Sequence, residues 1–302
     1  MYHENEGPIE SLVHLWVDGA FSRRELIKRV AKHTGSIAAA LALLRGYDLF
    51  AQASTPCPAT VQVPPDAEDL VMQDVSYPGD ASDILGYVAY PASMDSSPFP
   101  GVIVIHENRG LVDYTKDVAR RAARAGFVAL APDLLSRQGG TGQFPDATSQ
   151  AAAYGRTVPA ERTADLLSSL AYIKTLGNVV TDRIGVVGFC AGGGNLWNLI
   201  VASQELKAAV PFYGTPVPST DAVATITTPV LAMYAGLDRT LTASMGPVMQ
   251  AMEQQSKTFG FVVYQGANHA FHNDTGPAYN AEAACDAWAR TVAWFNKYLR
   301  AA

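Results

Sequence analysis

An apolar run, Ile184 to Phe189, ends in the small-residue turn Cys190-Ala191-Gly192-Gly193-Gly194, and Asn195-Leu196-Trp197-Asn198-Leu199-Ile200-Val201 follows. The first segment reads as a buried strand and the last as a helix. Gly188 and Gly192 stand two places to either side of Cys190, the Gly-x-nucleophile-x-Gly spacing of a nucleophile elbow. The glycines have a steric reason. The turn is too sharp for side chains to pass, and the nucleophile must stand clear of the backbone. Serine usually occupies the tip of this motif; here it is Cys190.

An elbow needs a sheet around it, and the rest of the chain supplies the pattern of one. Strand-like runs occur at Leu70 to Tyr77, Ile84 to Tyr90, Gly101 to His106, Phe127 to Ala131, Ala208 to Phe212, Pro229 to Tyr234 and Phe259 to Tyr264. Helical spacing occurs at Tyr114 to Ala125, Glu161 to Leu176, Met245 to Gln255 and along a last segment ending at Tyr298. A Gly-, Gln- and Thr-rich stretch over roughly 136–150 reads as a long loop. Strands alternating with helices predict an α/β fold, a mainly parallel sheet with helices on both faces. In such sheets sites form at the carboxyl ends of the strands.

The 302 residues, 48% of them hydrophobic, suit one α/β domain of roughly 230 residues plus an extension. The expected division is a helical N-terminal extension over 1–56, a Pro-, Ala- and Thr-rich linker over 57–69, and a catalytic domain over 70–302. Within the extension, Ile9 to Val17 and Ser36 to Leu44 have helical character. Ser22-Arg23-Arg24-Glu25 reads as a capping box that starts a helix running to about His33. The same residues, with Leu26-Ile27-Lys28 after them and Ala51-Gln52-Ala53 as a cleavage site, also resemble a twin-arginine export signal. A retained helical cap on a cytoplasmic protein is the main expectation, and export the alternative.

A net charge of −6 leaves no basic excess to neutralise phosphates, so nucleic acid is not expected as a partner. No run reaches the roughly 18 apolar residues of a membrane span. Cys57, Cys190 and Cys285 form no disulfide or zinc pattern, which fits a reducing compartment or one functional thiol. His269-x-x-His272 with Asp274 lies in a loop without the helical face that pairs ligands at i and i+4, so no metal and no cofactor is expected.

A cysteine nucleophile needs a base and a group to orient that base. In strand–elbow–helix hydrolases the chain order is nucleophile, acid, histidine. The histidines after the elbow are His269 and His272, and His269 follows the strand Phe259 to Tyr264 in the loop Gly266-Ala267-Asn268-His269-Ala270-Phe271. The strand Pro229 to Tyr234 ends in Ala235-Gly236-Leu237-Asp238, which places Asp238 as the acid. Cys190, His269 and Asp238 therefore read as a catalytic triad.

From about residue 70 onward the chain resembles the dienelactone hydrolase (carboxymethylenebutenolidase) family of α/β-hydrolases. The motifs that carry the resemblance are Ile105-His106-Glu107-Asn108-Arg109-Gly110, Ala131-Pro132-Asp133-Leu134-Leu135-Ser136-Arg137, Gly188-Phe189-Cys190-Ala191-Gly192-Gly193, Gly236-Leu237-Asp238 and Asn268-His269-Ala270-Phe271. The resemblance implies that Glu107 contacts the resting thiol and helps to move its proton. It places the oxyanion hole at the backbone N–H groups of Ala191 and Asn108, and it makes Arg137 an arginine that binds a substrate carboxylate. A second arginine is expected four residues beyond the histidine, where this chain has Asn273. Tyr213, at the end of the strand Ala208 to Phe212, is a candidate pocket residue.

These readings predict a hydrolase that cleaves a small-molecule ester or lactone of the dienelactone type through a thioester on Cys190. A broad carboxylesterase or thioesterase acting on neutral esters uses the same residues. A non-catalytic α/β-hydrolase relative that binds a ligand or partner is the reading from a different class.

Overall fold

The structure, a computed structural model, describes residues 12, 23–36, 39, 40, 62–93 and 98–300. The chain divides into two compact units, Met1–Pro56 and Cys57–Ala302. In the first, helix α1 spans Arg23–Thr34, with acidic Glu25 in its first turn and Lys32 and His33 in its last, charges that complement the helix dipole. Glu25 pairs with Arg29 one turn on. The capping box at Ser22, most of the segments Ile9 to Val17 and Ser36 to Leu44, and the region Ala51-Gln52-Ala53 lie outside the described residues.

The second unit carries an eight-stranded sheet. In chain order its elements are β1 (Leu70–Pro78), β2 (Asp83–Pro91), β3 (Phe99–Ile105), α2 (Asp113–Arg124), β4 (Val128–Pro132), α3 (Ala147–Gly155), α4 (Pro159–Ile173), β5 (Val179–Phe189), α5 (Ala191–Ala202), β6 (Ala208–Phe212), β7 (Val230–Ala235), α6 (Arg239–Ala243), α7 (Met245–Gln254), β8 (Phe259–Tyr264) and α8 (Ala281–Leu299). The strand order is β1-β2-β4-β3-β5-β6-β7-β8. β1 pairs antiparallel with β2, and β2 with β4; every later neighbour is parallel. The expected α/β-hydrolase architecture is present, its antiparallel part confined to one edge.

Side-chain alternation along the central strands builds two cores. Val102, Val104, Val187 and Phe189 face one way and pack with α2 and α8. Ile103, Ile105, Ile184 and Val186 face the other and pack with α4, α5 and α7. Being buried on both faces is what makes β3 and β5 near-continuous apolar runs. It also fixes their register, since a one-residue slip would exchange the two faces.

Three local readings change. The stretch expected as a loop over 136–150 holds two short 3₁₀ turns, Ser136–Gln138 and Thr141–Gln143, and the start of α3. Asp146 caps α3 by accepting from the Ser149 N–H at 2.8 Å, a capping pair that the Gly- and Gln-rich composition obscures. Helix α5 begins at Ala191, four residues before the expected start. The three glycines weaken helix propensity, but packing against β3 overrides it. Cys285 is disulfide-bonded and Cys190 is a free thiol. The expectation that the cysteines form no disulfide is therefore wrong for Cys285; sequence spacing carries no information about which cysteines meet in space.

Candidate active site

The elbow positions Cys190 by strain and close packing. Its backbone lies at φ 54° and ψ −119°, a region that residues with a Cβ rarely enter and that costs on the order of 1–3 kcal/mol. Neighbouring strands and turns hold it there. The Cys190 N–H donates to Phe212 O at 3.1 Å, and the Cys190 carbonyl accepts from Gly193 N at 2.9 Å and Gly194 N at 3.2 Å. A Cβ on Gly188 would collide with the Gly192 backbone, and one on Gly192 with the carbonyls of Ile105 and His106. Glycine at these two places lets the first turn of α5 touch the carboxyl end of β3, which brings the segment Glu107-Asn108 beside Cys190.

The electrostatics follow from that juxtaposition. Burial, and after it the charge of Glu107, push the Cys190 thiol up to about 11. The backbone N–H groups of Ala191 and Asn108 act in the opposite direction by hydrogen-bonding the sulfur, and Asp238 adds to the rise. Glu107 is itself buried. Burial raises its carboxyl above the usual range, against the hydrogen bond from Asn273 and the charges of Arg109 and His269. Asn273 Nδ2 donates to Glu107 Oε2 at 2.7 Å, whereas Glu107 Oε1 is buried without a hydrogen-bond partner.

Asp238 occupies the N-cap position of α6 but makes no side-chain capping bond. Its carboxylate instead accepts from His269 Nδ1 at 2.7 Å. That bond leaves the other ring nitrogen of His269 free for chemistry. The two loops are tied through the backbone as well, Leu237 N donating to Ala267 O at 3.0 Å. Tyr213 is fully buried, with its ring 5.0 Å from that of His269. It therefore supports the histidine instead of lining an open pocket.

The structure does not bring Arg137 to this group. Its guanidinium makes a bidentate pair with Asp165, Nε–Oδ2 at 3.0 Å and Nη2–Oδ1 at 2.8 Å. It lines a cavity of about 400 Å³ shared with Arg156, Glu161 and Arg162. The expectation that Arg137 binds a substrate carboxylate is thus without support in its placement. The physical reason is the buried Asp165 on α4, a partner of opposite charge that the motif alone does not reveal.

Sequence reasoning passed over His106 and Tyr114. Tyr114 Oη is hydrogen-bonded to His272 Nδ1 at 2.8 Å, both fully buried. His106 is buried at the end of β3, and its place directly before Glu107 was the available signal. Among the described residues no group of three or more His, Cys, Asp or Glu is arranged to hold a metal ion.

Comparison with known proteins places these features in a wider set. The family model described as "Dienelactone hydrolase family" matches residues 84–299. A protein of Methylorubrum extorquens named "Putative carboxymethylenebutenolidase" is 35% identical over 260 residues, covering 82% of this chain and 89% of its own. A protein of the same name from Escherichia coli strain K12 is 32% identical over 260 residues, with 82% and 95% covered. Among solved structures, that of a "Putative Dienelactone Hydrolase" from Klebsiella pneumoniae is 30% identical with a TM-score of 0.70, covering 76% of this chain and 99% of its own. A dienelactone hydrolase-like promiscuous phosphotriesterase from metagenomic libraries is 26% identical with a TM-score of 0.67 and the same coverage.

Proposed function

This chain belongs to the dienelactone hydrolase family, and on that premise we propose that it hydrolyses small uncharged esters or lactones through Cys190, His269 and Asp238. The observation that carries the reading is the His269 Nδ1–Asp238 Oδ2 bond at 2.7 Å. It orients the imidazole at the carboxyl edge of the sheet, where the strained elbow presents a free thiol.

In the proposed cycle Cys190 Sγ attacks the carbonyl carbon and its proton passes to His269. The carbonyl π pair moves to oxygen, where the N–H groups of Ala191 and Asn108 stabilise it. Collapse expels the alkoxide, which takes its proton from His269, and leaves an acyl thioester. His269 then deprotonates a water that attacks the thioester, and Cys190 departs as thiolate and takes the proton back from His269, restoring the resting thiol. Glu107 keeps the resting thiol protonated by its charge and by sharing a dry environment with it.

The preference for uncharged substrates rests on two side chains. Arg137 is engaged by Asp165, and Asn273 is neutral and engaged by Glu107. An acidic lactone of the dienelactone type is the second reading; Arg109, whose charge reaches Glu107, is the cation that favours it. Turnover of an activated aryl ester should disappear in Cys190→Ala with the fold intact. Near wild-type activity in that variant would overturn the assignment.

Among the described residues no helix is long and apolar enough to cross a membrane. Disulfides persist mainly in oxidising compartments, so the bonded state of Cys285 supports the export reading of Ser22 to Lys28 over cytoplasmic retention. Mass spectrometry of the mature N-terminus in the native host decides between them.

A further inference from the structure

The Asn108 N–H does not stand alone: it belongs to the peptide unit whose carbonyl is that of Glu107. That carbonyl has its own partner. His106 Nδ1 lies 2.5 Å from Glu107 O. The opposite ring nitrogen, His106 Nε2, lies 3.0 Å from the backbone nitrogen of Leu134. A backbone N–H can only donate, so Nε2 must be the unprotonated acceptor, and the ring proton must sit on Nδ1, aimed at Glu107 O.

The surroundings hold the ring in this one state. His106 is fully buried, and Tyr154 packs against it edge-on with centroids 6.2 Å apart. Asp133 Oδ1 is 4.0 Å from Nε2, which by itself would favour an imidazolium. Its oxygens are occupied, however, by Leu135 N at 3.0 Å, Thr141 N at 2.6 Å and Thr141 Oγ1 at 2.8 Å. A proton on Nε2 would confront the Leu134 N–H. Burial acts in the same direction by disfavouring the charged ring.

Resting on the proposed reading of the site, the geometry points to His106 as a positioning residue of the oxyanion hole: its Nδ1–H fixes and polarises the Glu107–Asn108 peptide, so that Asn108 N–H is a stronger and better aimed donor to the developing oxyanion. Hydrogen bonds in series strengthen one another in a dry environment. A peptide whose oxygen accepts a bond has a more acidic N–H, and a rotation of that plane would turn the N–H away from the sulfur. The leucine amide adds a mechanical element. Through Nε2 the end of β4 is linked to the end of β3, so the donor's direction is set by two strands of the sheet. His106 touches neither substrate nor thiol; it acts through Asn108.

Two substitutions separate this role from simple packing. His106→Phe keeps a ring of similar size and removes both bonds, whereas His106→Asn can return a donor near the position of Nδ1. Loss of a whole oxyanion donor costs about 10²- to 10³-fold in rate; weakening one should lower kcat on an activated aryl ester by about tenfold. The expected pattern in His106→Phe is that loss in kcat with KM within about twofold. Binding of an aldehyde inhibitor, which forms a tetrahedral adduct on the thiol, should weaken by a similar factor. His106→Asn should recover most of both.

Equal losses in the two variants, or a loss in KM alone, would overturn the proposal. The Cys190→Ala enzyme keeps this separate from the site assignment. Activity surviving there overturns the site reading and this proposal with it, whereas an inactive Cys190→Ala beside a fully active His106→Phe overturns this proposal alone. The tautomer is read directly in the unaltered enzyme by NMR after ¹⁵N-histidine labelling, so the test does not depend on either variant folding. A proton on Nδ1 of His106 is expected; a proton on Nε2 would refute the assignment.

Discussion

Asn273 donates to Glu107 across 166 positions of sequence, so the residue four places beyond His269 grips a carboxylate of the protein itself. An arginine in its place would carry a positive charge into the same position, lower the Glu107 carboxyl and leave guanidinium donors to spare. Asn273→Arg should therefore raise the ratio of kcat/KM for an anionic lactone to that for a matched neutral ester, by about tenfold. An unchanged ratio across a panel containing both would show that residue 273 does not set charge preference.

The thiol of Cys190 is raised by burial and then by the charge of Glu107. Glu107→Gln removes the charge while its amide oxygen can still accept from Asn273. The thiol pKa should fall, and the iodoacetamide reaction of Cys190 at pH 8 should quicken by about tenfold for each unit of that fall. Alkylation followed against pH in both proteins gives the shift. A profile that does not move would mean that Glu107 is not the charge that guards the sulfur.

Most of the framework of the candidate site was legible because it is periodic or local. The elbow is a strand, a glycine-bounded tip and a helix in one stretch of chain, and β3 and β5 announce themselves as apolar runs because both of their faces are buried. Asp238 and His269 could be placed because each follows a strand in the expected order. The bond between them crosses 31 positions and needed coordinates. What stayed illegible depends on partners far apart in sequence. Arg137 looked like a ligand clamp until Asp165 stood against it. Cys285 looked unpaired because spacing does not report proximity. His106 looked like a strand-end residue because a tautomer is a property of its neighbours, Leu134 and Glu107.

Arg121 bridges two elements that the site needs. Its Nη2 pairs with Asp117 on its own helix and with Asp274 at 2.7 Å, the residue next to Asn273. All three groups are almost fully buried, so removing the cation strands the Asp274 carboxylate and leaves Asp117 with only Arg120, at 3.8 Å, and the Val63 N–H. Arg121→Leu should lose about 3–5 kcal/mol of stability, read from the shift in the urea midpoint at constant m-value. Adding Asp274→Asn should return part of that loss, because the stranded charge is then gone. A double variant less stable than the single one would show that the cost comes from packing of the arginine stem and not from charge.

Stability should also depend on pH through His272. Burial pushes its pKa down to about 3, with the charge of Arg121 acting in the same direction, while an unfolded histidine titrates near about 6.5. Between these values the unfolded chain binds a proton at this position and the folded chain does not. Stability therefore rises with pH across the window: the contribution is fully present above about 6.5 and is lost as pH falls toward 3. His106 is shifted in the same direction by burial, so it adds to the slope. In His272→Asn the difference between urea midpoints measured at pH 7 and pH 5 should shrink without vanishing, since His106 remains. A difference as large as that of the unaltered protein would mean that His272 is protonated in the folded state, or that its ring escapes the pocket formed by Tyr114, Phe189 and Trp288.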